Sequence, residues 1–126
     1  MTLLEIFGSP WPDLSVSGVC EHTDEVVENY AFFAVAKNQD QARSSGQLAL
    51  ERGAKCVISQ HQLELEACYQ VEGLDRTRDA IAAEFYGFPG DALTCIGVTG
   101  TNGKTSVAFY IAALSDLLGS ACGYIG

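Results

Sequence analysis

Leu93-Thr94-Cys95-Ile96-Gly97-Val98-Thr99-Gly100-Thr101-Asn102-Gly103-Lys104-Thr105-Ser106 is the stretch on which the fold turns. It opens with an apolar run, Leu93 to Val98, of the kind that predicts a strand buried on both faces. A loop with Gly100 and Gly103 follows directly, and a helix is predicted from about Lys104 to Leu118. In that helix Val107, Tyr110, Ile111, Leu114, Leu117 and Leu118 recur at helical spacing, and Gly119 supplies the stop. A strand, a glycine loop and a helix in that order suit a bound phosphate. Its oxygens are satisfied by unpaired backbone N–H groups, glycines let the backbone come close, and a helix N-terminus adds its dipole and free donors. Gly100, Thr101, Asn102, Gly103, Lys104, Thr105 and Ser106 are therefore the candidate nucleotide-binding residues, with ATP or a close relative as the expected ligand. Lys104, the candidate catalytic residue, can reach the β- and γ-phosphates as a point charge, and the Thr105 hydroxyl can ligate Mg²⁺. The stricter pattern G-x-x-x-x-G-K-[ST] is not met, because the residue five before Gly103 is Val98. Gly-Lys-Thr alone also reads as an ordinary turn and helix start; the strand and helix around it favour phosphate.

Working outward, Phe88-Pro89-Gly90-Asp91 is a breaker cluster that reads as a linker. It divides a domain over 1–88 from the opening of a second over 89–126. Upstream, Ala31-Phe32-Phe33-Ala34-Val35-Ala36 predicts another strand buried on both faces, and a helix is expected from about Gln41 to Arg52, with Asp40 as its cap and Gly53 at its end. Lys55 to Ser59 reads as the next strand, which makes a βαβ unit and a parallel sheet. His61 to Glu66 reads as loop and Ala67 to Val71 as a third strand. A helix from Asp75 to Tyr86 carries Leu74, Arg78, Ile81 and Phe85 on one stripe and stops at Gly87. Downstream, Ala121 to Ile125 reads as the start of a further strand. The expected fold class is α/β: a small βαβ-containing domain, then the strand, phosphate loop and helix that open a parallel-sheet ATP-binding domain.

Charge and composition narrow the function. The chain of 126 residues carries 7 basic and 16 acidic side chains, a net charge of −9, with no Lys/Arg cluster. That argues against nucleic acid and anionic membranes as partners, since both need phosphate neutralisation. No apolar run approaches the roughly 18 residues of a membrane span, and no basic-then-apolar leader opens the chain. Five cysteines, at 20, 56, 68, 95 and 122, form no CxxC pair. They read as small buried hydrophobes in a reducing cytoplasm. His22 and His61 lack metal-ligand spacing and read as surface residues.

The run Gly97 to Ser106 resembles the ATP loop of the Mur ligases and their relatives, a superfamily that includes folylpolyglutamate and cyanophycin synthetases. Ala82-Ala83-Glu84-Phe85-Tyr86-Gly87-Phe88-Pro89 resembles the helix end and linker of the UDP-N-acetylmuramoyl-tripeptide synthetases, the MurE type. Phe32-Phe33-Ala34-Val35, the passage from Gly53-Ala54 into Cys56-Val57-Ile58, and Gly123-Tyr124-Ile125-Gly126 resemble further parts of that family, so the likeness covers nearly the whole chain. It implies a ligase that adds the third amino acid, a diamino acid, to UDP-N-acetylmuramoyl-L-alanyl-D-glutamate. ATP would phosphorylate the glutamate carboxylate to an acyl phosphate, and the amine would displace phosphate, with Lys104 and Mg²⁺ stabilising the transferring group.

Two positions depart from the family's pattern. Where the family often has Asp-Ser-Arg, this chain has His22-Thr23-Asp24. After the strand it has Lys37-Asn38-Gln39-Asp40-Gln41-Ala42 in place of a glycine, a polar pair and Asp-Gly. Thr23 keeps a hydroxyl, and the amides of Asn38 and Gln39 offer both donor and acceptor to a uracil edge. All three read equally as solvated loop residues. The family's enzymes have three domains, so the resemblance implies the first and the start of the second, and a chain not competent as a ligase alone. Another amide ligase of the superfamily and a non-catalytic nucleotide-binding remnant are the competing readings.

Overall fold

Tyr30 to Phe33 forms β2, an inner strand of a four-stranded, all-parallel sheet. The computed structural model describes residues 1–125 of the chain; Gly126, the last residue of the Gly123 to Gly126 run, lies outside the described residues. The sheet order is β1 (Gly18–Cys20), β2, β3 (Cys56–Ser59) and β4 (Cys68–Gln70), so sequence neighbours are spatial neighbours throughout. Val19 lies opposite Ala31, Phe32 opposite Val57, and Ile58 opposite Tyr69.

Alternation along the inner strands sends side chains to two separate apolar clusters. On one face Ala31, Phe33, Cys56 and Ile58 pack with Leu3, Trp11, Val71 and Leu74, and Ile81 and Phe85 lie against them. On the other, Phe32, Ala34 and Val57 pack with Ala42, Ala49, Ala54 and Leu63. Helices α1 (Leu3–Phe7) and α3 (Leu74–Phe85) thus cover one face, and α2 (Gln39–Glu51) covers the other. Both faces of a parallel sheet must be covered because its strands are apolar on both sides.

Sequence periodicity did not point to α1, to β1 or to Trp11 as a core residue. Five helical residues and a three-residue strand are too short to show a period. Helix α1 is held locally by a capping box, with Glu5 N–H donating to Thr2 Oγ1 and Thr2 N–H donating to the Glu5 carboxylate. Helix α2 starts earlier than expected. Its cap is Asn38, whose Oδ1 accepts from Gln41 N–H at 2.9 Å, while Asp40 sits within the first turn. Asn38 has the extended φ/ψ that a cap position needs. At the other end of the unit Gly87, at φ +71°, closes α3 as expected.

The chain divides into two units, Met1–Pro89 and Gly90–Gly126. In the second, α4 (Lys104–Leu117) forms as read from the sequence. Two expected strands do not: Leu93 to Val98 and Ala121 to Ile125 are irregular among the described residues, and Leu93 and Ile96 are about two-thirds exposed. The reason is pairing. A strand's N–H and C=O groups need a neighbouring strand, and the described residues of this unit contain none. The tail is instead tied to α4 by Cys122 N–H donating to Asp116 Oδ1 and by an edge-to-face contact of Tyr124 with Phe109, with ring centroids 6.0 Å apart.

Candidate functional site

The loop before α4 reaches its helix through two glycines that take backbone angles other residues avoid. Gly100 has φ +152° and Gly103, the N-cap, has φ +76°. A Cβ at Gly103 would meet nothing within 4 Å, so conformation rather than crowding calls for glycine there. With no side-chain cap, the first helical bond runs from Val107 N–H to Gly103 C=O at 2.9 Å. The N–H groups of Lys104, Thr105 and Ser106 therefore begin the helix without an acceptor among the described residues.

Charge at this helix start is arranged unlike that at the other three. Helices α1, α2 and α3 each carry an acidic residue in the first turn, Glu5, Asp40 and Asp75. Helix α4 carries none and begins with Lys104. A cation at the positive end of a helix dipole is unfavourable unless an anion joins it. Lys104 Nζ turns back to donate to Gly100 C=O at 2.6 Å. Thr101, Asn102, Gly103, Lys104, Thr105 and Ser106 are all exposed. The arrangement fits a polyphosphate: amide donors, one lysine, and the hydroxyls of Thr105 and Ser106 at one helix end. Thr105 would supply one oxygen ligand to Mg²⁺, and phosphate oxygens and water commonly supply others. No group of three or more His, Cys, Asp or Glu able to hold a metal occurs among the described residues.

Thr23, Asn38 and Gln39 lie in the first unit, and they do not line one pocket. Thr23 lines an open cleft of about 430 Å³ with Asp40, Gln41, Ser44, Ser45 and Leu48. Gln39 lines a second cleft, of about 670 Å³, with Gln60, His61, Gln62, Glu64 and Gln70 near the ends of β3 and β4. Asn38 lines neither, its Oδ1 being engaged as the α2 cap. Gln39 Nε2 donates to Gln62 C=O at 2.6 Å, and Gln70 Nε2 donates to Gln60 C=O at 3.1 Å, so two amides brace the loop that follows β3. His61 is half-buried rather than a free surface residue, with Nε2 3.1 Å from Ala36 C=O. His22 is exposed.

Of the cleft residues, Gln41, Ser44 and Ser45 were not read from the sequence as lining a site, and Leu48, which its apolar character marks as an inward residue of the helix, is exposed. Their spacing puts them on one helix face, but which element stands opposite that face is not written in the spacing. The cysteines divide by unit. Cys20 and Cys56 are buried and Cys68 is half-buried, whereas Cys95 and Cys122 are exposed, contrary to the expectation that all five are buried. Burial pushes the Cys56 thiol up to about 12, with Lys55 acting in the opposite sense, and pushes the Cys20 thiol up to about 11. Both are poor nucleophiles and poor metal ligands at neutral pH.

No family model matches the chain. Among curated proteins, it is 35% identical over 132 residues to the UDP-N-acetylmuramoyl-L-alanyl-D-glutamate--2,6-diaminopimelate ligase of Pseudomonas aeruginosa, covering all of this chain and 27% of that protein. The ligase of the same name from Ectopseudomonas mendocina is 43% identical over 101 residues, covering 75% of this chain and 21% of that one. A solved structure of such a ligase superposes with a TM-score of 0.68 at 25% identity, covering 100% of this chain and 27% of the other. The chain spans about a quarter of the length of these relatives.

Proposed function

We propose that this chain, a homologue of the MurE-type Mur ligases along its whole length, supplies the ATP loop and the UDP-sugar-facing domain of an ATP-dependent amide ligase of peptidoglycan precursor synthesis. The acceptor is UDP-N-acetylmuramoyl-L-alanyl-D-glutamate and the amine is a diamino acid, 2,6-diaminopimelate by the relatives' name. ATP gives its γ-phosphoryl group to the glutamate carboxylate; the amine then attacks the acyl phosphate, and the products are the amide, ADP and phosphate.

The observation that carries this reading is the start of α4, which has free amides, Lys104 and no acidic residue in an otherwise acidic chain. Gly100 and Gly103 shape the turn, and the amides of Lys104, Thr105 and Ser106 face the phosphates. Thr101 and Asn102 form the loop's tip. On phosphate arrival Lys104 exchanges the Gly100 carbonyl for a phosphate oxygen. Its charge matters most as the phosphoryl group transfers in a water-poor site. Thr105 would hold Mg²⁺ through its hydroxyl. In the first unit, Thr23 is assigned to the uridine end of the UDP-sugar through the cleft it lines, and Asn38 and Gln39 through the start of α2, where the adjoining Asp40 lines that same cleft. A cytoplasmic location suits ATP as substrate and five cysteines without a disulfide. No described helix is long and apolar enough to cross a membrane.

The test is a chimera in which residues 1–126 replace the matching segment of a MurE-type relative. Formation of the tripeptide product from ATP, 2,6-diaminopimelate and the UDP-dipeptide is expected. Lys104→Ala is expected to lower kcat/KM by about 10²-fold or more, the scale of removing one transition-state donor. Circular dichroism should be unchanged, because Lys104 is exposed. A Lys104→Ala chimera that turns over near the parent rate would remove the loop from the ATP site.

A further inference from the structure

Arg52 lies beyond every residue considered so far for ligand binding, yet it joins the two walls of the cleft that contains Thr23. One wall is the exposed face of α2: Gln41, Ser44, Ser45 and Leu48 are spaced by helical turns, and Arg52, the C-cap residue, continues the same row. The other wall is the single 3-10 turn Thr23–Glu25. That turn has no buried residue and no side-chain cap, and its own bond is Glu25 N–H to His22 C=O at 3.0 Å. Val26, just beyond it, packs on the apolar cluster beneath. Among the described residues, the polar ties from this turn to α2 all come from one atom. Arg52 Nη1 donates to Thr23 C=O at 2.6 Å and to Asp24 Oδ1 at 2.7 Å.

We propose that Arg52 is a positioning residue for the uridine end of the UDP-sugar, holding the Thr23–Glu25 turn at a set distance from α2 so that the Thr23 side of the cleft is formed before the ligand arrives. This rests on the assignment of that cleft to the uridine end. The two bonds do different work. The Asp24 carboxylate is 90% exposed and the Arg52 side chain 41%, so their ion pair is screened by water and worth little. The bond to Thr23 C=O grips the backbone of the residue that lines the cleft, and it sets the cleft's width. Asp24 serves chiefly to keep the guanidinium turned toward the turn. A preformed wall spares the ligand the entropy of ordering it, so loss of Arg52 acts on affinity without removing any ligand contact.

The full chain is titrated with UMP and with UDP-N-acetylmuramoyl-L-alanyl-D-glutamate, following amide chemical shifts. For Arg52→Ala, both affinities are expected to fall by the same factor, about tenfold, or about 1.4 kcal/mol. ATP affinity in the same chain should be unchanged. Asp24→Asn should stay within about twofold of the parent, because the Thr23 bond survives. Arg52→Lys, which keeps a charged donor, should recover most of the loss; a merely structural weakening would not be read in UMP affinity or rescued in this way. Should Arg52→Ala fail to fold, Arg52→Gln is titrated in its place and is expected to lose affinity for both ligands. Parent-like UMP binding in the folded Arg52 variant would overturn the role of Arg52 and leave the uridine assignment standing. A parent chain that binds neither ligand would remove the uridine assignment, and the role of Arg52 with it.

Discussion

Five thiols in one short chain meet very different surroundings. Cys56 is fully buried on β3 and its thiol is pushed up from 9.0 to about 12, chiefly by burial; Cys20 reaches about 11 for the same reason, with the Glu25 charge adding to it. Cys95 and Cys122 stand exposed. Alkylation with iodoacetamide at pH 8.5, read by peptide mass spectrometry, should therefore modify Cys95 and Cys122 first and spare Cys56 until the first unit unfolds. Early modification of Cys56 would mean that β3 is not buried as described. A pH dependence follows with a definite sign. A raised thiol pKa means the folded state holds its proton where the unfolded chain has lost it. The contribution is complete below pH 9 and is lost as pH rises toward about 12. Urea midpoints measured from pH 8 upward should fall, and should fall less steeply in Cys56→Ala. At this scale the glycine loop before α4 was legible because its residues are consecutive in the chain. The exposure of Cys95 was not, since an apolar run predicts burial only where a partner exists.

Helix α2 shows what an element adds to its residues. Both Asn38 and Asp40 suit a cap by chemistry, and the backbone chooses Asn38, which is extended where Asp40 is already helical. Asn38→Ala should cost about 1 kcal/mol of stability, measured by urea unfolding, whereas Asn38→Asp should keep the cap and most of the stability. The same pair separates capping from uracil recognition. If Asn38 reads a uracil edge, Asn38→Asp weakens UMP binding in a stable protein, because a carboxylate has no N–H to donate. If it only caps, UMP binding tracks the parent. The helices α2, α3 and α4 were legible from period and terminal glycines, which act over a few residues, whereas the cap of α2 fell on Asn38 rather than the expected Asp40. Strand β1 was not, because three residues become a strand only when β2 lies beside them.

Across the whole chain, hydrogen bonding is concentrated in the first unit. Strands β2 and β3 are paired on both sides, and Phe32, Val57 and Ile58 are almost fully buried. From Thr94 to Thr99 no backbone N–H has a partner among the described residues. Hydrogen exchange should therefore find the amides of Phe32, Val57 and Ile58 slow and those of Ile96 and Val98 fast. Protection of Ile96 equal to that of Ile58 would show that the expected strand forms in solution after all. By itself, then, the sequence determined the local devices: the glycine loop before α4 and Lys104 at its start, the helix stops, and the apolar runs of β2 and β3. Each depends on neighbours along the chain, through capping, φ/ψ preference and period. Tertiary structure alone decided which apolar run became a strand, which cysteines are shielded, and that Arg52 reaches Thr23 across 29 residues. Those outcomes depend on a partner distant in sequence, and a linear pattern does not say whether that partner is there.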